Sequence, residues 1–221
     1  MRATQWLFRL VRHRGSTDTF FDFLTFNHLV STWIFAAVFY LYWRIHDERT
    51  MWRRWRLTQA AIAFAAAVGI TLIVRPWIAW PAPALNPTFR PLYPNYFWGN
   101  GSYDSFPSHA TLAYFIVAAG VWPLNRRLAV ALAVWVLVFI SFPRIFVGGH
   151  YPIDVIASLA LGIVVLLVIW QWNPGQTRLE WLVSPRNAWR ELVLILWLFE
   201  LGEEFGGLTN ALIEIKRAIA H

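Results

Sequence analysis

The chain of 221 residues is 58% hydrophobic and only 14% charged, with 15 Trp, a balance outside the range of soluble domains. Its formal charge of +7 is carried by arginine, with Lys216 the one lysine. These charges sit in short segments flanking apolar runs, which suits lipid headgroups and topology signals and disfavours a nucleic-acid surface. The absence of cysteine excludes a disulfide framework and a thiolate site.

Residues 1–19 open on "MRATQWLFRLVRHRG", where Trp6, Leu7, Leu10 and Val11 share one helical face. That pattern fits an interfacial helix or a basic tail, with no apolar core long enough for a cleavable signal. Crossing a hydrocarbon core of about 30 Å takes roughly 20 residues. The first such helix is expected over Phe26 to Tyr42. The arginine-rich link "RIHDERTMWRRWR" follows, and a second helix is expected over Leu57 to Val74, ending at Arg75-Pro76.

Residues 76–106 hold six prolines among many aromatic residues, predicting an irregular interfacial loop with no helix of any length. A third helix is expected from Pro107 to Trp122, a basic turn "PLNRR", and a fourth from Leu128 to Phe142. The link "PRIFVGGHYP" then leads to a fifth, Ile153 to Trp170. Ala188 to Phe205, with its apolar centre Leu192 to Phe199, would be a short sixth span or an interfacial helix, followed by an amphipathic tail over 207–221. The expected fold is all-α: one domain over 1–221, a polytopic membrane helical bundle of about six transmembrane helices.

Alternation of these helices places the 75–107 loop and the 143–152 link on one membrane face. Pro107 and Pro152 each mark a helix start, since proline is favoured in a first helical turn. A helix N-terminus offers unpaired N–H donors and a positive dipole end, a ready anion site. Around these starts lie Ser108 and His109, then Arg144, Gly148, Gly149, His150 and Asp154, with Arg75 closing the second helix and Arg90 in the loop. Guanidiniums, imidazoles, a carboxylate and a hydroxyl in one place suit a phosphoryl group. Polar groups at membrane depth favour a functional site.

His150 and Asp154 are four residues apart, so the carboxylate can reach one ring nitrogen and leave the other as a nucleophile. His109 is the other histidine placed to protonate a departing oxygen. His28 and His46 have no such surroundings and read as packing or interfacial residues. The many Trp and Tyr residues read as interfacial belts, with no cofactor implied.

The order Arg75-Pro76, then Pro107-Ser108-His109, then "RIFVGGHYPID", which is Arg-x5-His-x3-Asp, resembles the phosphatidic acid phosphatase type 2 superfamily of lipid phosphatases, whose soluble relatives include vanadium haloperoxidases. The resemblance covers residues 75–162. It implies His150 as nucleophile, Asp154 as its orienting partner, Arg144 and Ser108 as phosphate ligands, His109 as acid and Arg75 as the first-motif arginine. A six-helix bundle and no metal requirement are also implied. Two positions depart from the family pattern. Val68 stands seven residues before Arg75, where the family has lysine, and Arg90 is the candidate to supply that charge. Ser108 and His109 are adjacent, where the family has one residue between them, a change of about 100 degrees around a helix.

The expected activity is hydrolysis of a phosphomonoester or pyrophosphate of a lipid: a polyprenyl diphosphate, phosphatidylglycerol phosphate, phosphatidic acid or lipid A phosphate. Phosphotransfer between lipids, or non-catalytic binding or transport of a lipid phosphate, are the alternatives. The links opposite the pocket carry Arg44, Arg49, Arg53, Arg54 and Arg56, then Arg126 and Arg127, then Arg178 and Arg186. The positive-inside rule puts these in the cytoplasm and the pocket on the periplasmic side of a bacterial inner membrane, against the pull of Arg2, Arg9, Arg12 and Arg14. Partners are then membrane lipids and a lipid phosphate, while the oligomeric state is not readable.

Overall fold

The computed structural model describes residues 20–21, 23–25, 28–78, 80–93 and 105–172. The proposed interfacial helix over 1–19, the sixth helix and the 207–221 tail lie outside these residues. Among the described residues every regular element is helical: α1 (His28–Arg44), α2 (Thr50–Ile78), α3 (His109–Gly120), α4 (Arg126–Trp135), α5 (Phe142–Phe146) and α6 (Pro152–Gln171). A π-helical segment, Val136–Ser141, joins α4 to α5 without a break.

Among the described residues three helical stretches are long and apolar enough to cross a membrane: Thr50–Arg75, Arg126–Phe146 and Pro152–Gln171. The outward surface of these stretches and of α1 is greasy: Trp33, Leu41, Ile73, Ile156, Val164 and Val168 are all more than half exposed. A water-soluble bundle turns such side chains inward, whereas here the lipid takes the place of a second apolar layer.

The centre of the bundle is α3. Nearly all of its side chains are buried, and it packs against α2, α4 and α6. Two glycines permit this closeness. A Cβ on Gly120 would collide with Ala60 of α2, and one on Gly162 of α6 would stand 3.0 Å from Phe115. Phe35, Phe39, Phe64, Leu112, Ile116 and Ile140 fill the interior, each no more than 1% exposed. With 12 residues, α3 is only about 18 Å long, and Ser105–Ser108 lead into it in non-helical form.

Several sequence-based boundaries move. Helix α2 runs through Pro76 to Ile78 where an end at Arg75-Pro76 was expected, because proline removes one hydrogen bond without forbidding a final turn. The loop is not free of helix: Pro83–Leu85 and Arg90–Leu92 form 3-10 turns. Pro107 precedes α3 instead of opening it, and Ser108 is the N-cap. The fourth span continues four residues beyond Phe142, so Arg144 stands on α5 and only Val147–Tyr151 form the link. Pro152 does open α6, as expected.

Candidate active site

The two helix starts expected to share a face meet in the bundle. The Ser108 amide donates to the Asp154 carbonyl at 3.5 Å, and the Ser158 hydroxyl lies 2.9 Å from the Ser108 carbonyl and 2.7 Å from that of Asp154. The N-termini of α3 and α6 are therefore joined backbone to backbone, with His109 and His150 at the same end of the molecule.

His150 is almost fully buried and tightly held. Its Nδ1 lies 2.8 Å from the Ser105 carbonyl and 3.7 Å from Asp154 Oδ2. A carbonyl only accepts, so Nδ1 carries the proton, and in the neutral ring Nε2 keeps its lone pair. Asp154 is fully buried, and its Oδ2 accepts the Tyr151 amide at 2.8 Å, closing the first turn of α6. Its Oδ1 has no hydrogen-bond partner. Burial pushes the His150 imidazole below the usual histidine pKa, Asp154 pulls it back up, and the Arg144 and Arg75 guanidiniums push it down again. Both arginines thus act on the ring.

A sharp turn presents His150. The Arg144 carbonyl accepts the amides of Gly149 at 2.9 Å and His150 at 3.2 Å, folding the chain back onto the end of α5. Gly148 has φ of +80°, open to glycine and strained for other residues. The ring of Tyr93 fills the space where a Cβ would stand, 2.9 Å away, and the Gly148 carbonyl accepts from the Ala84 amide at 3.0 Å. Loop residues Ala84, Phe89 and Tyr93 form a small core with Tyr151, while Asn86 Nδ2 donates to the Tyr151 hydroxyl at 3.2 Å. The described part of the proline-rich loop, 80–93, is a packed cover over the His150 turn.

Other expected residues are placed as follows. Arg144 is buried, and its guanidinium donates to the Ile140 carbonyl at 3.4 Å. Arg75 is half-buried near the end of α2. Ser108 is fully buried, and its hydroxyl donates to Thr111 Oγ1 at 3.0 Å, which in turn meets Ser141 Oγ of the π segment at 2.9 Å. Though Ser108 is the N-cap residue, its side chain makes no capping bond to α3, so the first-turn amides keep their dipole end open. The Gly149 amide is committed to Arg144, so its contribution as a phosphate donor is limited by that bond. Arg90 is exposed on the second 3-10 turn, and the charges acting on His150 come from Asp154, Arg144 and Arg75. Val68 is buried in the apolar core, so no charge occupies that point.

Sequence reasoning missed Ser105, Thr111, Ser141 and Ser158. Ser105 acts through its carbonyl, which every residue type has. The three hydroxyl residues read as ordinary members of apolar runs.

A helical bundle with lipid-facing apolar walls and a buried His–Asp pair that feels the charges of two arginines defines a polytopic membrane protein with a polar site at one end. The chain belongs to the PAP2 superfamily, whose family model matches residues 56–178, more than half of its length. A lipid A 1-phosphatase of Rhizobium etli is 42% identical over 69 residues, 30% of this chain and 28% of its own length. The undecaprenyl-diphosphatase BcrC of Bacillus subtilis is 24% identical over 164 residues, 74% of this chain and 79% of its own. The chain thus spans under a third of the lipid A 1-phosphatase it matches. No solved structure gives a significant match.

Proposed function

We propose that this protein is a membrane lipid phosphatase that cleaves a phosphomonoester or pyrophosphate of a lipid through a phosphohistidine. In this reading Nε2 of His150 attacks phosphorus, the bond from phosphorus to the leaving oxygen breaks, and His109 gives that oxygen its proton. Water then attacks phosphorus and passes a proton to a phosphoryl oxygen, the P–N bond breaks, inorganic phosphate leaves, and His109 regains its proton from solvent. Arg75, Arg144 and the open first turn of α3 stabilise the equatorial oxygens in both steps. Ser108 joins them when its hydroxyl turns from Thr111, and Arg90 meets the headgroup at the rim. No metal takes part.

The observation that carries this reading is the fixed tautomer of His150: Nδ1 is spent on Ser105 and Asp154, so the ring presents Nε2 as its basic nitrogen. The relatives named as a lipid A 1-phosphatase and an undecaprenyl-diphosphatase support a lipid carrying phosphate or diphosphate. A site at one end of the bundle lets an acyl or prenyl tail stay in lipid, and arginine placement favours the periplasmic face of a bacterial inner membrane. Phosphate release by the purified protein from polyprenyl diphosphate, phosphatidylglycerol phosphate, phosphatidic acid and lipid A tests the proposal. Release from at least one is expected.

A second reading, a binder that does not turn over, is favoured by two observations. Val68 leaves the site without the lysine of the first motif, and the Ser108 hydroxyl is engaged with Thr111. Saturable binding of these lipids with no phosphate release from any of them would select it.

A further inference from the structure

We infer that Ser158 is a positioning residue that sets the register between the two catalytic segments, and that its loss penalises the leaving-group step selectively. The inference rests on the lipid phosphatase reading above.

Ser158 is fully buried one turn below Asp154 in α6. Its hydroxyl has one proton and faces two carbonyls, Asp154 at 2.7 Å and Ser108 at 2.9 Å. The first contact is the ordinary back-bond of serine to the residue four before it, common in apolar helices. The second is not explained that way, since it reaches the N-cap of another helix 50 residues away. A further hydrogen bond between these helix starts, from the Ser108 amide to the Asp154 carbonyl, is at 3.5 Å the limit of a useful bond. Of these two, the Ser158 hydroxyl is the stronger fastening.

The consequence follows from what each helix start carries. Asp154 and His150 belong to the α6 side, and His150 is held by Ser105, whose amide is anchored on the Trp80 carbonyl near the end of α2. His109 follows Ser108 directly on the α3 side. Loosening Ser108 therefore moves the acid while leaving the nucleophile in place. A displacement near 1 Å costs about 10²-fold when it separates reacting groups, and a partial one costs less. A leaving alkoxide needs the acid's proton in the transition state, whereas a leaving phosphate departs as a stable anion.

The test uses the full chain in mixed micelles with a diacylglycerol monophosphate and the matching diacylglycerol diphosphate, which share tails and differ in leaving group. Ser158→Ala is expected to lower kcat on the monophosphate about 10-fold and on the diphosphate less than about twofold, with KM little changed. Ser158→Thr, which keeps the hydroxyl, is expected to restore the monophosphate rate. His109→Ala is the reference, with a selective loss of about 10²-fold. Equal losses on both substrates in Ser158→Ala mean a merely structural role and overturn the inference, as does no loss on either. A His109→Ala enzyme that treats the substrates alike overturns the acid assignment itself. Selective loss in His109→Ala with none in Ser158→Ala overturns only the role of Ser158.

Discussion

The ring of His150 is oriented by a residue 45 positions earlier: its Nδ1 donates to the Ser105 carbonyl at 2.8 Å, nearer than the Asp154 carboxylate at 3.7 Å. Ser105 is in turn fixed, its amide donating to the Trp80 carbonyl at 2.8 Å just beyond α2. The tautomer that exposes Nε2 is thus held from two directions. Asp154→Asn is expected to lower kcat about 10²-fold while substrate binding survives, because Ser105 still holds the ring but the imidazolium formed on phosphorylation of Nε2 loses its counter-charge. Steady-state rates and lipid binding on the same preparation check this.

The acid limb of the pH profile follows from the same surroundings. Only the neutral ring attacks, and burial holds the His150 pKa below the usual value of about 6.5. Activity measured as kcat/KM therefore falls on acidification only below that pH. Asp154 raises this pKa, so Asp154→Asn moves the limb to still lower pH. Arg75 and Arg144 lower it, so neutralising either moves the limb upward. A limb that moves the opposite way in either variant would show that the titrating group is not His150.

The three arginines of the polar face separate in their effects. Arg75→Leu and Arg144→Leu are each expected to cost about 10²-fold in kcat/KM, since both guanidiniums act on the reacting ring. Arg144→Lys recovers little, because an ammonium lacks the planar fork. Arg90 is exposed, and Arg90→Ala is expected to stay within about threefold. Hydrolysis by the four variants at matched protein levels decides it.

Gly148→Ala tests the turn. A methyl there is strained at φ of +80° and stands 2.9 Å from the Tyr93 ring, so a loss of about 1–3 kcal/mol is expected. Thermal unfolding in detergent would report it, and Tyr93→Ala in the same chain should relieve the steric part but not the backbone strain.

The spacing from Arg144 to Asp154 was legible in part because helix geometry turns it into proximity: a glycine turn and a His–Asp pair four residues apart at a helix entry. The meeting of the 107–109 and 150–154 segments was legible from counting apolar runs. What the sequence concealed is of other kinds. The Ser105 carbonyl has no residue-type signature. The extension of the fourth span through Arg144 depends on a π segment that hydrophobic periodicity does not resolve. Pro107 carries the same start signal as Pro152, yet Pro152 opens its helix and Pro107 stops two residues short. The loop read as irregular because its prolines forbid long helices, while its small core with Tyr151 forms only across the fold.

The central claim is that His150 becomes covalently bound to phosphate. Incubation with a lipid labelled in the transferred phosphate, followed by rapid denaturation at alkaline pH, tests it directly, since phosphohistidine is acid-labile. The account predicts label on the chain, mapped to His150 and absent in His150→Ala. Label elsewhere, or hydrolysis by His150→Ala at the unaltered rate, would contradict it.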